Sequence, residues 1–194
     1  MTRHAFAIAL VLAGCAQIPF TQPQPTPPAD EGTWAVVRDR ATRGGKLYDG
    51  LGANAFVRAV YLASDVREAR VTRLGLWTAM TAEERARLLG AEEEEAAQYD
   101  DFVVSLFTPT PADNDLDAPK SIWRVALVVP GEGEALPVRV FQMKADSALR
   151  ALYPSIGDFD VVYRVRFARW QPALGGRPFT LRFGGARGLL DLNY

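Results

Sequence analysis

Residues 159–169 read Phe-Asp-Val-Val-Tyr-Arg-Val-Arg-Phe-Ala-Arg, with an apolar residue at every second position. Successive side chains of a β-strand point to opposite faces, so this period of two predicts a strand. One face would carry only aromatic and β-branched residues, namely Phe159, Val161, Tyr163, Val165 and Phe167. The other face would carry charged residues such as Arg164 and Arg166. We therefore expect a long strand with one face in the core and the other in water.

Other short segments with strand character bring the expected total to seven or eight strands. They cover residues 34–38, 54–62, 102–107, 121–129, 137–144, 179–183 and 189–192. Residues 121–129 and 137–144 flank the turn at 130–134, which predicts a hairpin. Residues 54–62 are apolar on both faces, which fits a strand inside a sandwich with one side partly covered by helix.

Between residues 64 and 99 the apolar period changes to that of a helix. Ser64 is the expected N-cap of a first helix, and Thr81 with Glu84 forms the capping-box pattern of a second. A short helical turn is also expected at 145–152, before Pro154. Most strands are joined by turns, and most of the helical residues lie in one insertion between two strands. This arrangement predicts a mainly β domain over residues 33–194. The expected fold is an antiparallel β-sandwich, immunoglobulin-like or transthyretin-like in general shape, with an α-helical insertion at about 64–99.

The N-terminus carries a targeting pattern. A basic start at Arg3 and His4 is followed by an apolar run at 5–13, far shorter than the roughly 20 residues of a membrane span. The run ends in Leu12-Ala13-Gly14-Cys15, which resembles the lipobox of bacterial lipoproteins. The resemblance implies that residues 1–14 are a signal peptide removed before Cys15, and that the sulfur of Cys15 is lipidated.

The same resemblance implies where the mature chain resides. Ala16 is not the aspartate that resembles an inner-membrane retention signal, so the periplasmic face of the outer membrane is favoured if the organism has two membranes. Residues 15–32 are rich in proline, which favours extended polyproline II. We expect this segment to tether the domain to the membrane through the lipid on Cys15.

The composition excludes several kinds of chemistry from the mature chain. His4 is the only histidine and Cys15 the only cysteine, so cleavage and lipidation would remove both from use. Catalysis by Ser-His-Asp or Cys-His groups and the usual zinc ligand sets are then excluded. The 22 Lys and Arg residues nearly balance 23 Asp and Glu residues, which is not the basic footprint of a nucleic-acid-binding protein. No cofactor is predicted.

Acidic residues form the candidate ligand and catalytic groups. Asp113, Asp115 and Asp117 resemble the start of a calcium-binding EF-hand loop, but Ala118 stands where glycine is needed and Arg124 where the bidentate glutamate would be. Turns and caps in an exposed loop are the competing interpretation. The four glutamates at 92–95 cannot converge on one ion from a helix and are expected to be solvated.

Two further groups are weaker candidates. Asp158 and Asp160 flank an aromatic residue and are interpreted as strand-end acids, although a glycosidase would also need paired carboxylates. Four tryptophans could line a sugar- or peptide-binding groove: Trp34, Trp77, Trp123 and Trp170. We expect Trp123 to be buried and Trp170 to be the better surface candidate.

Two functions of different classes remain open. The first is a lipid-anchored envelope protein that acts as a non-enzymatic binding or assembly module for another envelope protein. The alternative is a carboxylate-dependent enzyme, with or without calcium, that acts on cell-wall or polysaccharide substrates. An enzyme of that kind needs converging acids with perturbed pKa values in a cleft, whereas a binding module does not.

Overall fold

Two antiparallel β-sheets packed face to face form the body of the protein in the computed structural model, which describes residues 31–194. The first sheet contains β1 Thr42–Asp49, β2 Gly52–Tyr61, β3 Tyr99–Phe107, β6 Arg139–Met143 and β7 Val161–Ala168. The second contains β4 Trp123–Val129, β5 Gly133–Ala135, β8 Thr180–Gly185 and β9 Gly188–Asn193. Their orders are β1-β2-β3-β7-β6 and β5-β4-β8-β9. The mainly β, antiparallel sandwich expected from the sequence is confirmed.

Four α-helices accompany the sheets in the described part of the chain. They are α1 Glu31–Arg40, α2 Ser64–Trp77, α3 Ala82–Gln98 and α4 Ser147–Leu152. The pair α2 and α3 lies between β2 and β3, which confirms the helical insertion. No helix within residues 31–194 is long and apolar enough to cross a membrane.

The core between the two sheets is built from alternate residues of the central strands. On β7, the side chains of Tyr163, Val165 and Phe167 are fully buried, and on β8 Leu181 and Phe183 are fully buried. Successive residues of a strand point to opposite faces, so these alternate residues all face the same core. The inner face of the strand expected at 159–169 is therefore confirmed for these three residues.

A second core lies on the outer face of the first sheet, beneath the helices. Its buried members come from α1, β2, α2, β3, α4 and β7 and include Trp34, Val60, Val66, Val103 and Val162. The strands β2, β3 and β7 thus have one face in each core. This explains why residues 54–62 are apolar on both faces, as the sequence predicts.

The expected strand at 34–38 is wrong, because these residues belong to α1. Trp34 and Val37 lie one helical turn apart and both face the second core. The indole Nε1 of Trp34 donates a hydrogen bond of 3.0 Å to the carbonyl oxygen of Leu152, which docks α1 onto the end of α4. Tertiary packing of one buried tryptophan thus outweighs the β-propensity of the Val-Val pair.

The expected hairpin between 121–129 and 137–144 is also wrong. β4 pairs with the short β5 through a tight turn that places Gly131 and Gly133 at positive φ. The chain then crosses to the other sheet, where β6 pairs with β7. Pro137 lies in this crossing and has no backbone N–H to donate, so the ladder that starts at β5 ends before it.

Phe159 and the outer face of β7 differ from the expectation. Phe159 precedes the strand, in the loop before Val161, and is 82% exposed. Arg164 on the outer face is only 6% exposed, because α2 and α3 cover this part of the sheet. The outer face of β7 around Arg164 is therefore covered by helices and is not exposed to solvent.

The helix starts are partly as expected. Thr81 accepts from the backbone N–H of Glu84, and the Glu84 carboxylate accepts from the backbone N–H of Thr81 at 2.8 Å, which confirms the capping box. Ser64 is the first residue of α2 and not its N-cap, a position that Ala63 occupies.

Candidate functional site

A cluster of arginines and carboxylates, the ion cluster, lies between the two inserted helices and the outer face of the first sheet. Its members are Arg67, Arg70, Glu92, Glu95, Asp101, Arg164 and Arg166. The helices α2 and α3 supply four of them, and β3 and β7 supply three. Asp101 and Arg166 are direct cross-strand partners, so the register of the sheet brings them together.

Asp101 is the centre of the ion cluster. Its carboxylate is fully buried and accepts from Arg67 Nη2 at 2.8 Å, Arg164 Nη2 at 2.7 Å and Arg166 Nε at 2.8 Å. Burial alone would raise its pKa, but the hydrogen bonds from Arg166 and Arg164 outweigh burial and lower the pKa to about 2. Asp101 is therefore ionised at neutral pH, and it joins α2 to two strands.

The run of glutamates at 92–95 divides between the ion cluster and solvent. Glu92 accepts from Arg67 at 2.7 Å and also pairs with Arg70, and Glu95 accepts from Arg166 at 2.6 Å. Residues three apart share one helix face, so these two point at the sheet while Glu93 and Glu94 are exposed. The expected solvated run is therefore wrong for half of its residues.

Asp100 forms a separate buried contact at the other face of β3. Its carboxylate accepts from the hydroxyl of Tyr61 at 2.8 Å, from Arg169 Nη1 at 2.7 Å and from the backbone N–H of Trp170 at 2.8 Å. Burial and the neighbouring Asp100 raise the pKa of Tyr61. Neither Asp100 nor Asp101 was a sequence candidate, although an Asp-Asp pair before an apolar strand is an unusual pattern.

The ion cluster is suited to holding elements together. Guanidinium groups stay protonated and have no acceptor, and the pKa values of Asp101 and Glu92 are lowered. For Glu92, burial opposes this change, but Arg70 and Arg67 outweigh it. A general acid needs a raised carboxyl pKa, so these two groups do not suit proton donation near neutral pH.

A second feature, which we name the basin, is an open depression of about 560 Å³ on the outer face of the first sheet. It is lined by Gly44, Gly45, Lys46, Phe56, Val57, Arg58, Ser105, Gly157 and Asp160. Three strands supply its floor, and the loop before β7 supplies one wall. It lies at the ends of β1, β2 and β3 that are not buried in the second core.

A row of three aromatic rings runs beside the basin, and its middle member, Phe56, is the one that lines it. Phe56 on β2 stands at the middle of the row. The centre of its ring lies 6.0 Å from the ring centre of Tyr48 on β1 and 5.6 Å from that of Phe107 on β3. Phe56 and Phe107 are cross-strand partners, as are Lys46 and Phe56, whereas Tyr48 follows an irregularity in the β1–β2 register and pairs with Ala53. The ammonium of Lys46 lies 5.2 Å from the centre of the Phe56 ring, within reach of a cation–π interaction.

The predicted calcium ligands are placed in separate contacts. Asp113 pairs with Arg187, while Asp115 accepts from the Ser121 hydroxyl at 2.9 Å and the backbone N–H of Ile122 at 3.1 Å. Asp117 is exposed. Within residues 31–194 no three histidine, cysteine, aspartate or glutamate residues are grouped to hold a metal ion.

The remaining candidates are also distributed over the molecule. Asp160 accepts from the backbone N–H of Gly157 at 2.9 Å and lines the basin, whereas Asp158 is exposed. Trp123 is 5% exposed, as expected, and Trp34 lies in the second core. The indole of Trp170 is half-buried and donates to Glu132 at 2.7 Å. Cys15 and the tether up to residue 30 lie outside the described residues.

No protein-family model, curated protein or solved structure matches this chain.

Proposed function

We propose that this protein is a lipid-anchored component of the bacterial cell envelope and acts as a non-enzymatic binding or assembly module. The anchoring half of the proposal rests on Leu12-Ala13-Gly14-Cys15, and the favoured location is the periplasmic face of the outer membrane. The binding half rests on one observation, the basin with Phe56 in its lining and an aromatic row beside it. Exposed apolar surface of this kind is typical of interaction sites.

The first experiment tests the anchor. We expect mass spectrometry of the purified protein to show loss of residues 1–14 and a diacylglyceryl mass on Cys15. The Cys15→Ser variant should remain uncleaved and lose its lipid, while Ala16→Asp should keep the lipid and move to the inner-membrane fraction. An unprocessed Met1 in the wild-type protein would contradict the anchor.

The carboxylate-dependent enzyme remains the alternative. The carboxylates with lowered pKa values in the ion cluster are held by arginines for structure, and the acids near the basin include Asp160, which caps its own loop. These contacts favour the binding module. A turnover assay on peptidoglycan and acidic polysaccharides, with and without calcium, tests the alternative directly.

A further inference from the structure

The basin combines two cations that have no carboxylate partner among the described residues with the ring of Phe56 and exposed aromatic neighbours, and this combination favours one ligand chemistry. We propose that the basin binds a segment of a partner protein that presents a carboxylate beside an apolar side chain. The inference rests on the proposed binding function and names the class of partner and the residues that hold it.

The cations of the basin are available to a carboxylate. Lys46 is exposed and contacts the ring of Phe56, and within residues 31–194 it forms no ion pair. Arg58 is exposed and donates to the carbonyl oxygen of Ser155 at 2.7 Å, with no carboxylate partner among the described residues. The acid that lines the basin, Asp160, is turned to the backbone of Gly157. Two cations against one occupied carboxylate favour an anionic group in the ligand.

Aromatic surface beside the basin is available to an apolar side chain. The ring of Tyr48 is 56% exposed although it contacts Phe56. Phe159, which is 82% exposed, lies between the lining residues Gly157 and Asp160. A bound apolar group would remove these aromatic surfaces from water, which is the main favourable term in association.

The shape of the basin favours a protein segment over a small molecule. Pockets for small molecules bury most of the ligand, whereas Lys46 in the lining and Tyr48 and Phe159 beside it are all exposed. Gly44 has no side chain that could fill the basin. A Cβ there would lie 3.2 Å from Cγ of Arg58. An open depression with exposed aromatic side chains beside it suits the convex face or the extended chain of another protein.

The test uses the full-length protein in detergent and a phage-displayed library of random peptides as the probe. We expect the enriched peptides to carry aspartate or glutamate next to aromatic or aliphatic residues. Lys46→Glu, Arg58→Glu and Phe159→Ser should each weaken binding of a selected peptide about tenfold or more, as interface anchors do. Arg139→Glu is the matched control, because Arg139 is an exposed cation on β6 at the opposite edge of the sheet. It should leave binding unchanged.

The three basin variants change exposed side chains, so circular dichroism and thermal melting should be unaltered and a loss of binding reports the surface itself. The inference is overturned if no peptide is enriched, if the enriched peptides lack acids, or if the Arg139→Glu control loses as much binding as the basin variants. The lipid on Cys15 is measured on the same preparation. An unmodified Cys15 with intact peptide binding would remove the anchor and leave the basin inference standing, and the reverse result would remove only the basin inference.

Discussion

Asp101 shows how one residue couples the helices to the sheet. Removing its charge would leave Arg67, Arg164 and Arg166 with only the carboxylates of α3 to balance them in a largely buried site. Breaking a buried ion pair by neutralising one partner costs about 3–5 kcal/mol, because the remaining charges stay desolvated. We expect Asp101→Asn to lose this much of the free energy of unfolding, measured with urea at pH 7.

The pH dependence of Asp101 gives a second prediction. Its pKa is about 2 in the folded protein and 3.8 as its ordinary value, so the folded state binds fewer protons between these values. Its stabilising effect is therefore complete above pH 4 and is lost as the pH falls toward 2. The gap in unfolding free energy between the wild type and Asp101→Asn should narrow by about 2 kcal/mol over that window. A constant gap would contradict the lowered pKa.

Gly185 lies in close contact with the backbone of Ile122 at the second sheet, and a substitution there can test this contact. A Cβ at this position would overlap the carbonyl oxygen of Ile122, whereas a Cβ at Gly184 would lie 3.5 Å from Leu189, an ordinary contact. Gly185→Ala should therefore lower the free energy of unfolding by about 1–3 kcal/mol through overpacking. Gly184→Ala is the control and should change it by less than about 0.5 kcal/mol. Equal effects of the two substitutions would contradict this placement of the backbone.

At the scale of the element, α1 is a helix that the sequence did not predict. The segment Trp-Ala-Val-Val-Arg at 34–38 carries β-formers, and its helical spacing becomes visible only when Trp34 and Val37 are seen to share one buried face. β6 was misplaced for a related reason. Its residues do form a strand, but no local pattern indicates that the chain crosses to the other sheet after Pro137 and that β6 pairs with β7.

Trp34 is expected to hold α1 in place. Trp34→Ala should reduce the free energy of unfolding by about 3–5 kcal/mol, since it empties a fully buried site. Trp34→Phe should cost less, because it keeps a ring and loses chiefly the hydrogen bond to Leu152. Val36→Ala on the same helix is the control, as Val36 is 69% exposed and should matter little. Guanidinium unfolding of the three variants checks the order, which fails if Val36→Ala is as costly as Trp34→Ala.

At the scale of the whole molecule, the two cores share β2, β3 and β7, so they should not unfold separately. Trp34 reports on the core beneath the helices, and Trp123 reports on the core between the sheets. We expect variants that retain only one of these tryptophans, with the others changed to Phe, to unfold in single transitions. In each variant, fluorescence and far-UV circular dichroism should give the same midpoint. A fluorescence transition of the Trp34 variant that precedes its loss of circular dichroism would show that the helical layer detaches first.

The sequence predicted the sandwich and the inserted helices because their periodicity is local, as in β7 and in the capping box at Thr81. The two sites could not be predicted, because both depend on register. Asp101 meets Arg166 only through pairing of β3 with β7, and the row from Tyr48 to Phe107 exists only when β1, β2 and β3 are aligned. The helices cover only part of the outer face of the first sheet. Which part they leave exposed depends on tertiary packing and not on a local sequence pattern.

Because β2, β3 and β7 contribute side chains to both cores, they also limit which substitutions the protein can accept during evolution. A strand with both faces buried offers few neutral positions, since a polar substitution on either face enters a core. Strands at the edges, such as β1, and the loop that carries Phe159 have no such restriction. We expect a saturation library screened for folding to tolerate the widest variety at β1 and at the loop that carries Phe159, and the least at the buried positions of the three central strands, so that new binding specificities could arise on that side of the basin without loss of the fold.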